Sequence, residues 1–181
     1  AIGVGIVAAV TVLVVVNPEL LENYAGDRIR AWLDKSYSPD DLRWQTNNSL
    51  YAIGSGGLFG TGLGNSKQKY LYVSEPQNDF IFSIVCEELG FVGAAFIILL
   101  FGLLVWRGVD IAKKCPNRFG SLLVLGIMAQ IGFQVVLNIM VVTDTIPNTG
   151  IALPFFSYGG TALILLLGEI GVVLSVSRKN N

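Results

Sequence analysis

The chain of 181 residues contains no histidine. That removes the commonest general base and the commonest metal ligand, and it leaves carboxylates to do any acid–base work. Charge is scarce as well: 14% of the residues are Asp, Glu, Lys or Arg, and the formal net charge is -1. This balance carries no nucleic-acid signal. Only two cysteines occur. Cys86 falls inside an apolar run and Cys115 in the connection after it, so they are expected at different depths as free thiols. The first apolar run, residues 1–16, begins without a methionine or a basic flank, and Asn17-Pro18-Glu19 supplies no small-residue cleavage site. It reads as a helix cut near its start rather than a signal peptide, and the chain as the C-terminal part of a larger protein.

Apolar residues, by contrast, make up 52% of the chain, and glycine occurs 21 times. Residues 80–106 form an apolar run broken only by Glu87 and Glu88, longer than the roughly 20 residues a membrane-spanning helix needs. Two further runs, 119–142 and 157–176, are also long enough to cross a bilayer as helices that satisfy their own backbones. The expected fold is an all-α integral membrane protein with four transmembrane helices, the first truncated, and one long extracellular loop. Lysines and arginines of the short connections set the orientation. Arg107, Lys113, Lys114 and Arg118 lie between the second and third spans, and Arg178 and Lys179 follow the last. The expected order is therefore a span at 1–16, an extracellular loop at 17–78, a span at 79–106, a cytoplasmic loop at 107–118, a span at 119–142, an extracellular loop at 143–156, a span at 157–176 and a cytoplasmic tail at 177–181.

Within the long loop, residues 18–32 place Leu20, Leu21, Tyr24, Ile29 and Trp32 among charges at roughly helical spacing. An amphipathic helix fits, lying on the membrane or packed on the protein's own outer face. Beyond Trp44, Gly54, Gly56, Gly57, Gly60, Gly62 and Gly64 are expected to break any regular element and to bring backbone N–H groups within reach of phosphate. GTGLG lacks the strand–helix context of a dinucleotide fingerprint. Asn47-Asn48-Ser49 fits a glycosylation sequon by chance as easily as by design.

The segment EPQNDFIF, residues 75–82, sets Asp79 where a polar loop gives way to an apolar run. An acid there faces both water and lipid, although a carboxylate at a helix start also serves simply as a cap. Deeper acids must turn toward a partner or water. On a continuous helix Glu87 lies about 80° from Asp79 and Glu88 nearly opposite, both roughly 12 Å deeper. Glu87 is thus the cavity candidate and Glu88 the packing one. Gln130, Gln134 and Asn138 recur every four residues and make a polar stripe toward neighbouring helices. Depth counting pairs Gln134 with Glu87 or Glu88, and Gln130 with Glu169.

Three blocks now carry a resemblance: SLYAIGSGGLFGTGLGNSKQK, EPQNDFIFSIVCEELGFVG and IPNTGIALPFFSYGGTA. In that order they resemble the signatures of the SEDS family, the FtsW/RodA/SpoVE-like membrane proteins of shape, elongation, division and sporulation, and they correspond to its last four spans of ten. Residues 18–41 match nothing in the family pattern, and Asp144 stands where a glycine or other small residue is expected. The resemblance implies a peptidoglycan glycosyltransferase of the bacterial cytoplasmic membrane that polymerises lipid II at the outer face, with Asp79 as the catalytic base. It leaves Arg43, Lys67, Lys69 and the glycine-loop amides as candidates for the leaving pyrophosphate, and Glu75, Glu87 and Ser157 as further substrate-binding candidates. Lys67 and Lys69 otherwise read as solvated or headgroup-bound charges. A divalent cation, Mg or Mn, bridging the pyrophosphate to a carboxylate is the one cofactor it suggests. The implied partner is a class B penicillin-binding protein transpeptidase, and the fragment alone is expected to be inactive. A lipid II flippase and a non-catalytic scaffold that recruits the transpeptidase are the alternatives.

Overall fold

The computed structural model describes residues 24–34, 42–66 and 79–179, and among these every regular element is a helix. The expected span at 1–16 and the candidates Lys67, Lys69 and Glu75 lie outside the described residues. Among the described residues three helices are long and apolar enough to cross a membrane. The first, here α3, runs Ile81–Lys114 over 34 residues, about 50 Å at 1.5 Å per residue. It passes the apolar run because Asp110 pairs with Arg107 at 3.0 Å and with Lys114 at 2.8 Å, spacings at which side chains meet on one helix face. Pro116 follows at once and cannot continue the helix.

Helix α3 is not continuous. Gly90 sits at φ 69° and ψ -171°, a conformation open to glycine and costly for other residues. The break frees backbone groups inside the apolar run, where each must find a partner. The glycine-rich segment supplies them. Thr61 N–H donates to the Glu87 carbonyl at 2.9 Å and Gly62 N–H to the Glu88 carbonyl at 3.0 Å. In return, Phe91 N–H donates to the Gly57 carbonyl and Val92 N–H to that of Leu58. Contact this close excludes side chains: a Cβ on Gly60 would lie 2.1 Å from the Glu88 carbonyl oxygen, and one on Gly56 would lie 2.0 Å from that of Cys86.

These facts correct the expectation for the glycine segment. Gly54 and Gly56 do not break structure but lie within α2, Leu42–Gly56. The sequon belongs to the same helix, with Ser49 buried and its hydroxyl bonded to the Val142 carbonyl at 3.0 Å. The amides of Gly60, Thr61, Gly62 and Asn65 are spent on backbone carbonyls, so they are not a phosphate cradle.

Helix α4, Arg118–Val142, begins at Asn117, whose side chain accepts from Phe119 N–H, the usual stabilising cap. It runs back along α3, with Val124, Met128, Ile131 and Val135 buried in the shared core. Gly108 makes room for Met128, whose Sδ would be 2.1 Å from a Cβ there. The last helix, α5, Gly160–Lys179, keeps Leu166 and Val173 in the same core. At the Asp79 end, α1, Tyr24–Leu33, docks on the protein itself, as the second of its two readings has it. Trp32 Nε1 donates to the Asp144 carbonyl and Arg28 Nη1 to the Asn148 carbonyl, each at 3.0 Å.

Candidate active site

Between α4 and α5 lies a cavity of about 390 Å³, lined by Asp79, Gln130, Gln134, Ser157, Tyr158 and Glu169 with apolar neighbours. Its mouth is built from three segments. Asp79 is in a turn two residues before α3, and the N-cap position is Phe80, which offers no side-chain cap. The cap position is thus one residue after Asp79. Asn138, fully buried on α4, holds the backbone on both sides: its Nδ2 donates to the Asp79 carbonyl at 2.8 Å and to the Ile151 carbonyl at 2.7 Å.

Gly150 closes the third side with φ 69°, and a Cβ there would lie 3.4 Å from Asp79 Oδ2 and 3.9 Å from Arg28 Nη1. The carboxylate and a guanidinium thus converge on one glycine. Asp144, at φ 56°, explains the departure from the family pattern. The position needs a left-handed backbone, which glycine adopts freely and aspartate tolerates better than most residues. The wall opposite Asp79 is the LPFFSYGG segment. Ser157 Oγ accepts from Leu153 N–H at 2.8 Å and closes its turn. Phe155, held at φ 65°, stacks on Phe101 with ring centroids 6.4 Å apart.

Of the expected substrate-binding residues, Ser157 reaches this cavity with its hydroxyl engaged in the turn. Glu87 does not reach it. The residue is buried, and its Oε2 accepts from Ser66 Oγ at 2.5 Å, on the side of the glycine arm. The helical count from Asp79 fails because the helix starts only at Ile81. The proposed meeting of Gln134 with Glu87 fails with it. The other depth pairing holds, since Gln130 Nε2 donates to Glu169 Oε1 at 3.3 Å. Arg43 Nη1 donates to the Ala31 and Asp34 carbonyls, closing the end of α1 rather than entering the cavity.

The basic residue that does approach Asp79 is Arg28, which sequence reasoning passed over. Its signal was the i, i+4 spacing to Trp32 on one face of α1, since both side chains donate to the segment between α4 and α5. A larger hollow of about 660 Å³ lies on the α2 side of α3, lined by apolar residues such as Phe82, Phe91 and Ile98, with Thr143 at its edge. Its lining offers no acid or base for proton transfer at neutral pH, whereas the smaller cavity is lined by Asp79 and Glu169.

The family model described as cell cycle protein (FTSW_RODA_SPOVE) matches residues 1–181. Stage V sporulation protein E of Bacillus subtilis is 52% identical over 155 residues, 86% of this chain and 42% of that protein. The probable peptidoglycan glycosyltransferase FtsW of the same organism is 50% identical over 133 residues, 74% of this chain and 33% of its own length. Among solved structures, a peptidoglycan synthase complex described as coordinating polymerization and crosslinking aligns at TM-score 0.72 and 32% identity over 98% of this chain and 48% of the other. A mutant of the rod shape determining protein RodA of Thermus thermophilus aligns at TM-score 0.57 and 39% identity, over 73% and 40% of the two chains. The chain thus spans less than half the length of each of these relatives.

Proposed function

The chain belongs to the SEDS (FtsW/RodA/SpoVE) family of membrane proteins, and from that premise we propose that the full-length parent is a peptidoglycan glycosyltransferase polymerising lipid II, with Asp79 as general base. The observation that carries this reading is the placement of Asp79 in a cavity that sets a few polar groups among apolar ones, one residue before the helix cap, with Arg28 approaching the same point. The reaction needs two things. A base must take the proton of the attacking 4-hydroxyl while its oxygen bonds to the anomeric carbon, and positive charge must meet the pyrophosphate as the bond from the anomeric carbon to its oxygen breaks. Asp79 supplies the first and Arg28 the second.

The parent works in the bacterial cytoplasmic membrane, with the Asp79 end outside and the basic Arg107–Arg118 end and the C-terminus cytoplasmic. The family resemblance implies ten spanning helices for the parent, of which this chain corresponds to the last four. A cross-linking transpeptidase is its partner, as the similarity to a complex of polymerization and crosslinking supports. Among the described residues no three acids or cysteines gather as a metal cage. The one carboxylate at the mouth suits a Mg or Mn ion of the kind held largely by substrate phosphates and water. When bound, it would add positive charge beside the leaving group.

Lipid II polymerisation by the full-length parent is the test. Asp79→Asn keeps size and hydrogen bonding but takes no proton at neutral pH, and the expected rate loss is about 100- to 10,000-fold. Near wild-type polymerisation by that variant sinks the assignment. Unchanged polymerisation with lost lipid II transport across vesicles would put the flippase in its place.

A further inference from the structure

The cavity continues well below Asp79. Asn138, Gln134 and Gln130 follow one another every fourth residue along α4, so each lies about 6 Å deeper than the last, and Glu169 meets Gln130 from α5. Three groups along this descent are unspent, and the first, Asn138 Oδ1, is buried at its top without a partner among the described residues. Glu169 Oε2 is buried and has no hydrogen-bond partner among the described residues. The Gln134 side chain lines the same space and bonds to no described residue. A buried acceptor without a donor is costly, so this floor calls for a ligand that brings O–H or N–H groups.

The lining narrows the choice further. No described Lys or Arg lines the cavity, so a phosphate would meet Glu169 without compensation and is excluded from the deep end. What fits is a neutral, hydroxyl-rich ligand. The volume of about 390 Å³ falls within the roughly 300–1,000 Å³ of small-molecule sites. The lining combines planar amide and carboxylate groups with the rings of Phe155 and Tyr158. Amides present donors and acceptors together, as vicinal hydroxyl and N-acetyl groups do.

We propose that Gln134, Gln130 and Glu169 form a saccharide subsite, in which Glu169 Oε2 accepts a sugar hydroxyl and Gln134 pairs with an N-acetyl group. Gln130 holds Glu169 in position through its bond to Oε1. The subsite rests on the polymerase reading for the identity of the sugar, and it orients the substrate. The saccharide points inward along α4, and the pyrophosphate stays at the mouth beside Arg28.

The test uses the full-length parent in detergent with two readouts. In the polymerisation assay, Glu169→Gln is expected to raise KM for lipid II about 10- to 150-fold, the range for hydrogen bonds to a charged group, and Gln134→Leu about 2- to 10-fold, the range for neutral ones, with kcat nearly unchanged in both. Saturation-transfer NMR with N,N′-diacetylchitobiose needs no activity. The wild type should transfer saturation to the sugar protons, and Glu169→Leu should lose it. Unchanged KM in both polar variants, or saturation transfer undiminished in Glu169→Leu, overturns the subsite. A fall in melting temperature with KM unmoved also overturns it, leaving Gln130–Glu169 as an interhelical tie. Loss of polymerisation in Asp79→Asn alongside either result keeps the base assignment separate. Sugar binding in a parent that never polymerises would instead sink the polymerase reading and leave the subsite standing.

Discussion

The two sides of the first turns of α3 are made of similar material and used in opposite ways. On one side the glycine arm meets the break at Gly90, and the backbone groups there are paired, carbonyls of Glu87 and Glu88 with amides of Thr61 and Gly62; the Glu87 carboxylate accepts from Ser66, while Glu88 Oε1 is buried without a partner among the described residues. On the other side Asp79, Gln134 and Glu169 line an open cavity, and Glu169 Oε2 is left without a partner. Backbone pairing at this close approach yields a joint with no open space left for a ligand. Burial with pairing left incomplete stores a demand that a substrate can meet. Glu87, the most deeply buried acid among the described residues, is tied into the joint, whereas Asp79 and Glu169 line the cavity.

The largest effect that would break this comparison falls on the joint. Gly60 combines φ 78° with a Cβ position 2.1 Å from the Glu88 carbonyl oxygen, so alanine must both strain the backbone and push α3 away. The expected loss is roughly 3 kcal/mol or more from strain and overpacking together, seen as a large drop in melting temperature of the full-length parent. Wild-type melting would mean that the arm does not clasp the break.

Gly150 sharpens the other side. Alanine there meets an unfavourable φ of 69° and comes within 3.4 Å of Asp79 Oδ2, yet the surrounding loop is exposed and can give. The stability cost is expected to be about 1 kcal/mol. A Cβ at 3.4 Å is in ordinary contact with Asp79, so the rate falls only as far as relief of the φ strain moves the loop that flanks the carboxylate, and a shift of the order of 1 Å costs up to about 100-fold. A variant that melted far below wild type while polymerising normally would reverse the assignment, making this wall the joint and not the site.

Much of this was legible in the amino-acid pattern. Apolar length marked the three described spans, and the change from polar loop to apolar run marked Asp79. Counting residues from the outer ends placed Gln130 opposite Glu169. The break at Gly90 was not legible, because glycine is frequent in membrane-spanning helices and periodicity reports side chains rather than backbone hydrogen bonds. The destination of the glycine arm was hidden for the same reason, since glycines suited to cradling phosphate are equally suited to lying against a carbonyl. Glu87 was misplaced by a wheel drawn through a turn that is not helical. Arg28 was missed because its partner segment lies more than a hundred residues away in the chain.

The smallest effect separates two glycines of one helix and has the opposite sign. Gly54 and Gly56 both lie in α2, and at 100° per residue they point roughly 200° apart. Gly56 faces the joint, where a Cβ would lie 2.0 Å from the Cys86 carbonyl oxygen, whereas a Cβ on Gly54 meets nothing within 4 Å. Helical glycine in the open costs roughly 0.5–1 kcal/mol relative to alanine because the unfolded chain is freer. Gly54→Ala should therefore raise the melting temperature slightly and leave polymerisation unchanged, while Gly56→Ala should lower it. If both lowered it equally, the glycines of this segment would be serving flexibility rather than close approach, and the distinction drawn between the paired joint and the open cavity would lose its structural basis.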